Sequence, residues 1–318
     1  MPEETAPASS IESEDARAAD DGKVVRGKDG WLFLAHDSND VIAQQTGEKR
    51  LSPEALNFWR LLLEHRASWL AAHGISYFFL VAPDAHAVYP ECLPEGINVT
   101  DQRPVYQLME YLDEQRSFAR VIYPIEEILA EKPRTQVYTK TDNHWNAVGA
   151  HCAYLRLAEE MSEVVSMTVV QREQIQFYVS TEPSGLGYKV DPPAESVLLS
   201  TNMWHAKSRV VYDNEVYMTG SIIVTERDDA PPTTCLVCGD SFTYRMLTFL
   251  SGSFRRTVFA HNASLDFEMI FEEKPDVVVS ILSEHFLTEV PWDLPPNSTR
   301  ERERYKKEKG QMRRPVSR

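Results

Sequence analysis

The sequence predicts an α/β protein with a mostly parallel central sheet and helices on both of its faces. Residues 75–81 and 275–282 are continuous apolar runs, which are typical of strands that are covered on both sides. Segments with the apolar spacing of helices lie between such runs, as an alternation of strands and helices requires. The chain of 318 residues is long enough for one large domain of this class.

The N-terminal part of the domain begins with a predicted β-hairpin at residues 22–34. Lys28-Asp29-Gly30 is a turn signal between the two short apolar runs of this segment. A helix is predicted to begin after Ser52, because this capping residue is followed by a proline and an acid. The helix should run to about Ala72, with Gly74 as its C-terminal stop.

Helices and short strands continue to alternate up to residue 161. The apolar spacing predicts helices at 103–114 and 124–131, with a short strand at 119–123 between them. Asn146 is a predicted N-cap for a helix that runs to about Met161. These elements extend the α/β pattern.

Residues 166–230 predict a small β insertion in the same domain. Turn residues separate three apolar runs there, which are predicted strands at 209–212, 216–219 and 222–225. The α/β core then resumes with a strand at 257–260, a helix at 266–271 and the strand at 275–282.

The central motif is Thr-Cys-Leu-Val-Cys-Gly-Asp-Ser-Phe at 234–242, which predicts a buried strand, a tight turn at Gly239 and a helix at 242–250. Ser241 would lie beyond the carboxyl end of a parallel strand, where open sheets place their ligands. Backbone N–H groups at a helix start can also stabilise an oxyanion. Ser241 is therefore a candidate nucleophile. The alternative is that Asp240 or Ser241 only caps the helix.

A second motif, Thr-Asp-Asn-His-Trp at 141–145, supplies a candidate base. In an extended segment Asp142 and His144 point to the same side, so the carboxylate can hold one imidazole nitrogen. A serine hydrolase or acyltransferase needs such a base. Trp145 is a candidate wall of an acyl or sugar pocket. The alternatives are that these are plain loop residues, or that His285, after the last core strand, is the base.

Charge and composition exclude several function classes. The net charge of −15 argues against a nucleic-acid partner, and no window approaches the ~18 apolar residues of a transmembrane helix. The ends carry net charges of −6 (residues 1–21) and +6 (residues 299–318) and lack apolar periodicity, so we expect both to be disordered. The predicted organisation is an acidic tail at 1–21, one domain at 22–290 and a basic tail at 291–318.

The cysteines do not indicate a metal site. Cys235 and Cys238 form a C-x-x-C inside a predicted strand, where side chains three apart face opposite ways. A second pair is missing, and the other cysteines are Cys92 and Cys152, so zinc is not expected. We expect small buried hydrophobes, no metal and no cofactor.

Four segments together carry a family resemblance, at 27–33, 88–91, 141–145 and 239–242. In their order and spacing the sequence resembles the SGNH-hydrolase-like domain of the alginate O-acetyltransferase family, the AlgX and AlgJ type, along residues 22–290. The resemblance implies a three-layer α/β/α sandwich. It also implies Ser241 as nucleophile, His144 as base and Asp142 as the acid that orients it.

The function implied by the resemblance is transfer of an acetyl group to polysaccharide hydroxyls through an acyl-serine. The expected partners are a polysaccharide or oligosaccharide acceptor and an acetyl donor, which could be a membrane acetyl-transfer protein. The alternatives are a carbohydrate acetyl-esterase with the same triad and a catalytically silent carbohydrate-binding protein of this fold. The family is exported to the periplasm, whereas a leader is not visible here, which leaves the cytoplasm open.

Further residues are candidates for holding the oxyanion or the substrate. The Ser241 backbone N–H is the first expected oxyanion donor. Asn262 follows a core strand and is a candidate second donor, or else a turn residue. Arg245 and Tyr244, about one turn after the serine, could face the pocket, although Arg245 could equally be solvated.

Overall fold

The structure is a computed structural model that describes residues 22–35, 37–203 and 208–312. The predicted disorder of residues 1–21 and of the last six residues lies outside the described part of the chain. The strands in chain order are β1 (Val24–Arg26), β2 (Leu32–Leu34), β3 (Ser76–Ala82), β4 (Ile175–Pro183), β5 (Glu195–Met203), β6 (Arg209–Asp213), β7 (Ile222–Glu226), β8 (Thr234–Gly239), β9 (Arg256–His261) and β10 (Val277–Ser283).

The helices are α1 (Val41–Gln45), α2 (Pro53–Ala72), α3 (Ala85–Val88), α4 (Pro104–Glu114), α5 (Ile125–Glu131), α6 (Ala147–Ser162), α7 (Thr243–Ser251), α8 (Phe267–Glu273) and α9 (Thr299–Glu308). The predicted caps are confirmed. The Ser52 hydroxyl accepts a hydrogen bond from the Ala55 N–H, Gly74 ends α2 at a φ of +74°, and the Asn146 side chain caps α6.

The central sheet has the strand order β3-β10-β8-β9-β7-β6. The first four strands are parallel, and β7 and β6 continue the sheet as antiparallel strands at one edge. Strand β10 is buried along its whole length between β3 and β8, which explains its continuous apolar sequence. Because the four parallel strands end at one edge, the loops that follow them meet there.

The sheet separates two layers of helices, as expected for an α/β/α sandwich. One core cluster joins α5, α6 and α7 to side chains such as Val237 and Val279. On the opposite face, α2, α4 and α8 cover side chains such as Val81 and Val278. Cys235 and Cys238 point to opposite faces and are buried free thiols, as predicted.

Residues 166–230 do not form a single insertion. The hairpin β4–β5 is a separate two-stranded sheet, but β6 and β7 belong to the central sheet. The predicted strand at 216–219 is wrong, because this segment is a turn with Met218 and Gly220 at positive φ. The predicted strand at 119–123 is reduced to one parallel bridge between Leu80 and Ile122.

The expected disorder of the basic tail is wrong for α9. Ser298 caps this helix by accepting a hydrogen bond from the Glu301 N–H, and Glu303 forms ion pairs with Arg300 and Lys307 on the same helix. Thr299 and Glu303 are buried against the domain. Ion pairing and two buried positions therefore replace the apolar stripe that the sequence lacks. Within the described residues, every helix is too short or too polar to cross a membrane.

Candidate active site

Ser241 lies at the carboxyl edge of the sheet, in the turn between β8 and α7. Gly239 is required there by the close approach of β10, because a Cβ atom would lie 2.5 Å from the Ile281 carbonyl oxygen and would clash with Thr243. The Asp240 carboxylate accepts a hydrogen bond of 2.9 Å from the Phe242 N–H. We call residues 240–243 the nucleophile turn. Ser241 itself is half-buried at its tip.

The candidate base lies in a loop of residues 139–146, which we call the base loop. A β-bridge between Tyr138 and Trp145 closes this loop, and the Asn146 N–H donates to the Val137 carbonyl at 2.9 Å. The Trp145 indole donates to the Phe242 carbonyl at 3.0 Å. The base loop and the nucleophile turn, about a hundred residues apart in sequence, are therefore joined directly.

These two segments bring the three predicted residues into one hydrogen-bonded row, which we call the triad. The His144 Nε2 atom lies 2.7 Å from the Ser241 Oγ atom, and His144 Nδ1 lies 2.7 Å from Asp142 Oδ1. The same carboxylate oxygen accepts the His144 backbone N–H at 3.1 Å. Asp142 is fully buried, whereas 12% of the His144 side chain is exposed, so the row opens to solvent only toward the serine.

The electrostatics of Asp142 suit a carboxylate that supports a base. Burial by itself raises the pKa of Asp142, but the facing His144 ring and the Arg245 guanidinium outweigh it, so the pKa lies below its usual range. The carboxylate is thus ionised at neutral pH. An ionised acid on Nδ1 fixes the imidazole tautomer and stabilises its protonated form.

The loop of the hairpin β4–β5 packs against the buried Asp142 carboxylate. Gly185, in the loop between the two strands, has a φ of +39°, and a Cβ atom there would lie 2.5 Å from Asp142 Oδ1. Next to the acid, the Thr141 hydroxyl is bonded to Ser184 and Ser196. Sequence reasoning missed this role of the hairpin. The Ser-Gly-Leu-Gly run at 184–187 was its only local signal.

Comparison with known proteins identifies the domain. Residues 24–263 match the family described as the SGNH hydrolase-like domain of acetyltransferase AlgX.

The chain belongs to this AlgX family.

Individual relatives, similar in sequence or in structure, support the family assignment. A probable alginate O-acetylase AlgJ from Pseudomonas putida is 27% identical over 170 residues, which cover 53% of this chain and 40% of that protein. The match therefore spans less than half of the relative. The structure of Bacillus cereus PatB1 aligns with a TM-score of 0.63 and 15% identity, over 84% of this chain and 97% of that one. The O-acetyltransferase domain of Pseudomonas putida AlgJ aligns with a TM-score of 0.54 and 18% identity, over 85% and 94%.

These likenesses confirm the SGNH-hydrolase-like fold, and the family assignment makes the chain a member of an acyltransferase family.

Two candidate pocket residues have other roles in this AlgX family member. The Asn262 amide donates to the Asn297 carbonyl at 2.7 Å and to the Thr299 hydroxyl at 3.4 Å, so both of its hydrogens are used to hold the C-terminal segment. The expectation of Asn262 as second oxyanion donor is therefore wrong in this arrangement. Trp145 is fully buried and supports the triad from inside the core, so it does not wall a pocket.

The other two candidates lie on the triad side of α7. Arg245 is half-buried, and its positive charge helps to lower the pKa of Asp142. The Tyr244 hydroxyl lies 3.2 Å from Nδ1 of His261, whose backbone pairs with Gly239 on the neighbouring strand. Burial, with Lys306 and His144 adding to it, lowers the pKa of His261 to about 3. A neutral imidazole beside the triad was missed by sequence reasoning.

The rival base His285 lies elsewhere. Its Nδ1 atom is 2.6 Å from Asp84 Oδ1, and its Nε2 atom faces the Ser283 hydroxyl at 3.4 Å. The structure thus brings His144, and not His285, to Ser241. Among the described residues there is also no group of three or more His, Cys, Asp or Glu side chains that could hold a metal ion.

Proposed function

We propose that this protein is an O-acetyltransferase that uses Ser241 to move an acetyl group onto a hydroxyl of a polysaccharide. The observation that carries the proposal is the row of two 2.7 Å contacts from Asp142 through His144 to Ser241. Such a row is what a serine needs to become a nucleophile at neutral pH. The family assignment supports acetyl as the group that is transferred.

In the first half of the cycle, His144 Nε2 takes the proton from Ser241 as its Oγ atom attacks the carbonyl carbon of the acetyl donor. The Asp142 carboxylate stabilises the imidazolium that forms. Collapse of the tetrahedral intermediate breaks the bond to the donor, and His144 gives its proton to the leaving group. The product is acetyl-Ser241.

The oxyanion of this intermediate would be held by the Ser241 backbone N–H. Among the described residues this N–H makes no hydrogen bond, whereas the next N–H along the nucleophile turn donates to Asp240. A free, oriented N–H next to the reacting carbon is an effective oxyanion donor. In the second half, His144 takes the proton of a sugar hydroxyl as the sugar oxygen attacks the acetyl carbon. The bond between that carbon and Ser241 Oγ then breaks, and His144 returns the proton to Ser241.

The relatives support a polysaccharide as the acceptor. The Pseudomonas putida relative is named as a probable alginate O-acetylase, which supports a polysaccharide acceptor here. Members of the family are periplasmic, and we infer the same compartment for this chain. A membrane acetyl-transfer protein would be a suitable donor for an enzyme in that compartment.

The test is an assay of the purified chain with p-nitrophenyl acetate, with and without a set of oligosaccharides. We expect acetylated oligosaccharide by mass spectrometry, and no p-nitrophenol release above background from Ser241→Ala. Release that depends on Ser241 but leaves every acceptor unmodified would favour the esterase. A folded protein without release would leave the silent carbohydrate-binding alternative.

A further inference from the structure

A second Asp–His pair, formed by Asp84 and His285, lies beside the nucleophile turn. Asp84 follows β3, and His285 follows β10, which is inserted between β3 and the nucleophile strand β8. Their side chains are 4% and 5% exposed and share a hydrogen bond of 2.6 Å. The cycle above uses neither residue, so a buried charged pair at this position needs an explanation.

The pair is connected to the nucleophile turn through one hydroxyl. The Ser283 hydroxyl lies 3.4 Å from His285 Nε2 and 2.6 Å from Asp240 Oδ2. The Ser283 N–H donates to the same Asp240 oxygen at 2.6 Å. The other oxygen of Asp240 accepts the Phe242 N–H, directly after Ser241. An unbroken buried path therefore runs from His285 to the peptide that carries the nucleophile.

The groups around His285 favour its protonated form. Burial by itself lowers its pKa, but Asp84, Asp240 and Asp37 outweigh burial and raise the pKa to about 9. The nearby His86 is buried and has a lowered pKa, so it adds no positive charge at neutral pH.

The pair is also fixed from its outer side. Gln45 donates to the second oxygen of Asp84, and Gln44 donates to the His285 carbonyl. The Asp84 N–H donates to Glu284, which is paired with Arg103 at 2.9 Å.

We propose that His285, held by Asp84, is a positioning residue that keeps the Ser283 hydroxyl turned toward Asp240 and thereby fixes the nucleophile turn. When both imidazole nitrogens carry protons, Nε2–H donates to the Ser283 oxygen. The Ser283 hydroxyl then donates its own proton to Asp240. When His285 is neutral, Nε2 accepts the hydroxyl proton, and Asp240 keeps only the Ser283 N–H. The inference rests on the proposed function, because it concerns the reactivity of Ser241.

The test is the rate at which a sulfonyl fluoride labels Ser241, followed by mass spectrometry between pH 6 and 10. We expect the wild-type rate to fall through about pH 9 as His285 loses its proton. In His285→Gln the rate at pH 7.5 should be about tenfold lower, and the alkaline fall should disappear, because the variant has no titrating group. Hydrolysis of p-nitrophenyl acetate should show the change in kcat and not in KM.

Two further variants keep the test decisive. Ser283→Ala retains the buried pair and removes only the connecting hydroxyl, so it should lose the alkaline fall even if His285→Gln does not fold. The matched control is His151→Gln, which removes another buried histidine, one that is bonded to the Val170 carbonyl. His151→Gln should lower stability and leave the pH profile of Ser241 labelling unchanged.

An alkaline fall that persists in Ser283→Ala, or a wild-type profile with no fall near pH 9, would overturn the inference. Ser241→Ala separates this outcome from failure of the proposed function. If labelling does not depend on Ser241, the function fails. If it does, and His285→Gln behaves like wild type, only the positioning role fails.

Discussion

Two Asp–His pairs lie at one edge of the same sheet. They differ in the serine hydroxyl that lies next to the Nε2 atom of the imidazole. In both, Asp Oδ1 lies within 2.7 Å of His Nδ1. Nε2 of His144 meets the half-buried Ser241 at 2.7 Å, whereas Nε2 of His285 meets the buried Ser283 at 3.4 Å. The Ser283 hydroxyl is already bonded to Asp240. A carboxylate–imidazole pair therefore becomes a triad only where its hydroxyl is accessible and has no stronger acceptor.

The largest expected effect contrasts the two histidines. His144→Gln should lower kcat for p-nitrophenyl acetate about 10⁴-fold, since it removes the proposed base, whereas His285→Gln should lower it only about tenfold. Steady-state kinetics on both variants, with circular dichroism to confirm folding, measures the difference. Similar losses of kcat in the two folded variants would contradict the proposed difference between the two pairs.

The next effect tests the support of the buried acid. Gly185→Ala should lower kcat about 10²-fold, because the new Cβ atom would lie 2.5 Å from Asp142 Oδ1 and push the carboxylate away from His144. Gly96→Ala is the matched control, since Gly96 also has a positive φ, of +89°, but has nothing within 4 Å. If both variants keep wild-type kcat, the hairpin does not hold the acid.

A smaller effect tests the bond between the base loop and the nucleophile turn. Trp145→Phe loses the indole donor to the Phe242 carbonyl, which should cost about 1 kcal/mol of stability and lower kcat several-fold. Trp59→Phe is the control, because it loses an equally buried indole bond, to the Leu287 carbonyl at 2.8 Å, away from the triad. Denaturant unfolding should show similar stability losses, and only Trp145→Phe should lose activity.

The last effect concerns stability and not activity, and it is the pH dependence of stability at the second pair. The pKa of His285 is raised from 6.5 to about 9 in the folded chain, so its protonated form stabilises the fold. This contribution is fully present below about pH 6.5 and is lost as the pH rises through 9. The difference in melting temperature between wild type and His285→Gln should therefore shrink between pH 6.5 and 9.5. A constant difference would show that His285 is neutral throughout.

Local signals in the sequence predicted the elements that position the triad. Ser52 and Asn146 begin helices because each cap is satisfied by N–H groups within three residues. Asp142 and His144 are two residues apart, so their contact also depends mainly on local geometry.

Contacts between distant residues could not be predicted in the same way. Asn262 is turned away from the serine by Asn297, 35 residues later, and Trp145 is buried because its partner is in the nucleophile turn. Strands β6 and β7 pair into the main sheet through β9, a pairing that their own alternation of residues does not encode. The contact between His285 and Asp84 was equally hidden, because the two residues are 201 positions apart in sequence.

The central claim is that Ser241 carries the acetyl group. Its most direct test is mass spectrometry of the wild-type chain, quenched during reaction with p-nitrophenyl acetate and digested to peptides. We expect one acetyl group, on the peptide that contains Ser241, and its loss when an acceptor oligosaccharide is added before the quench. Turnover with the acetyl group on another residue, or with Ser241 unmodified throughout, would contradict the claim.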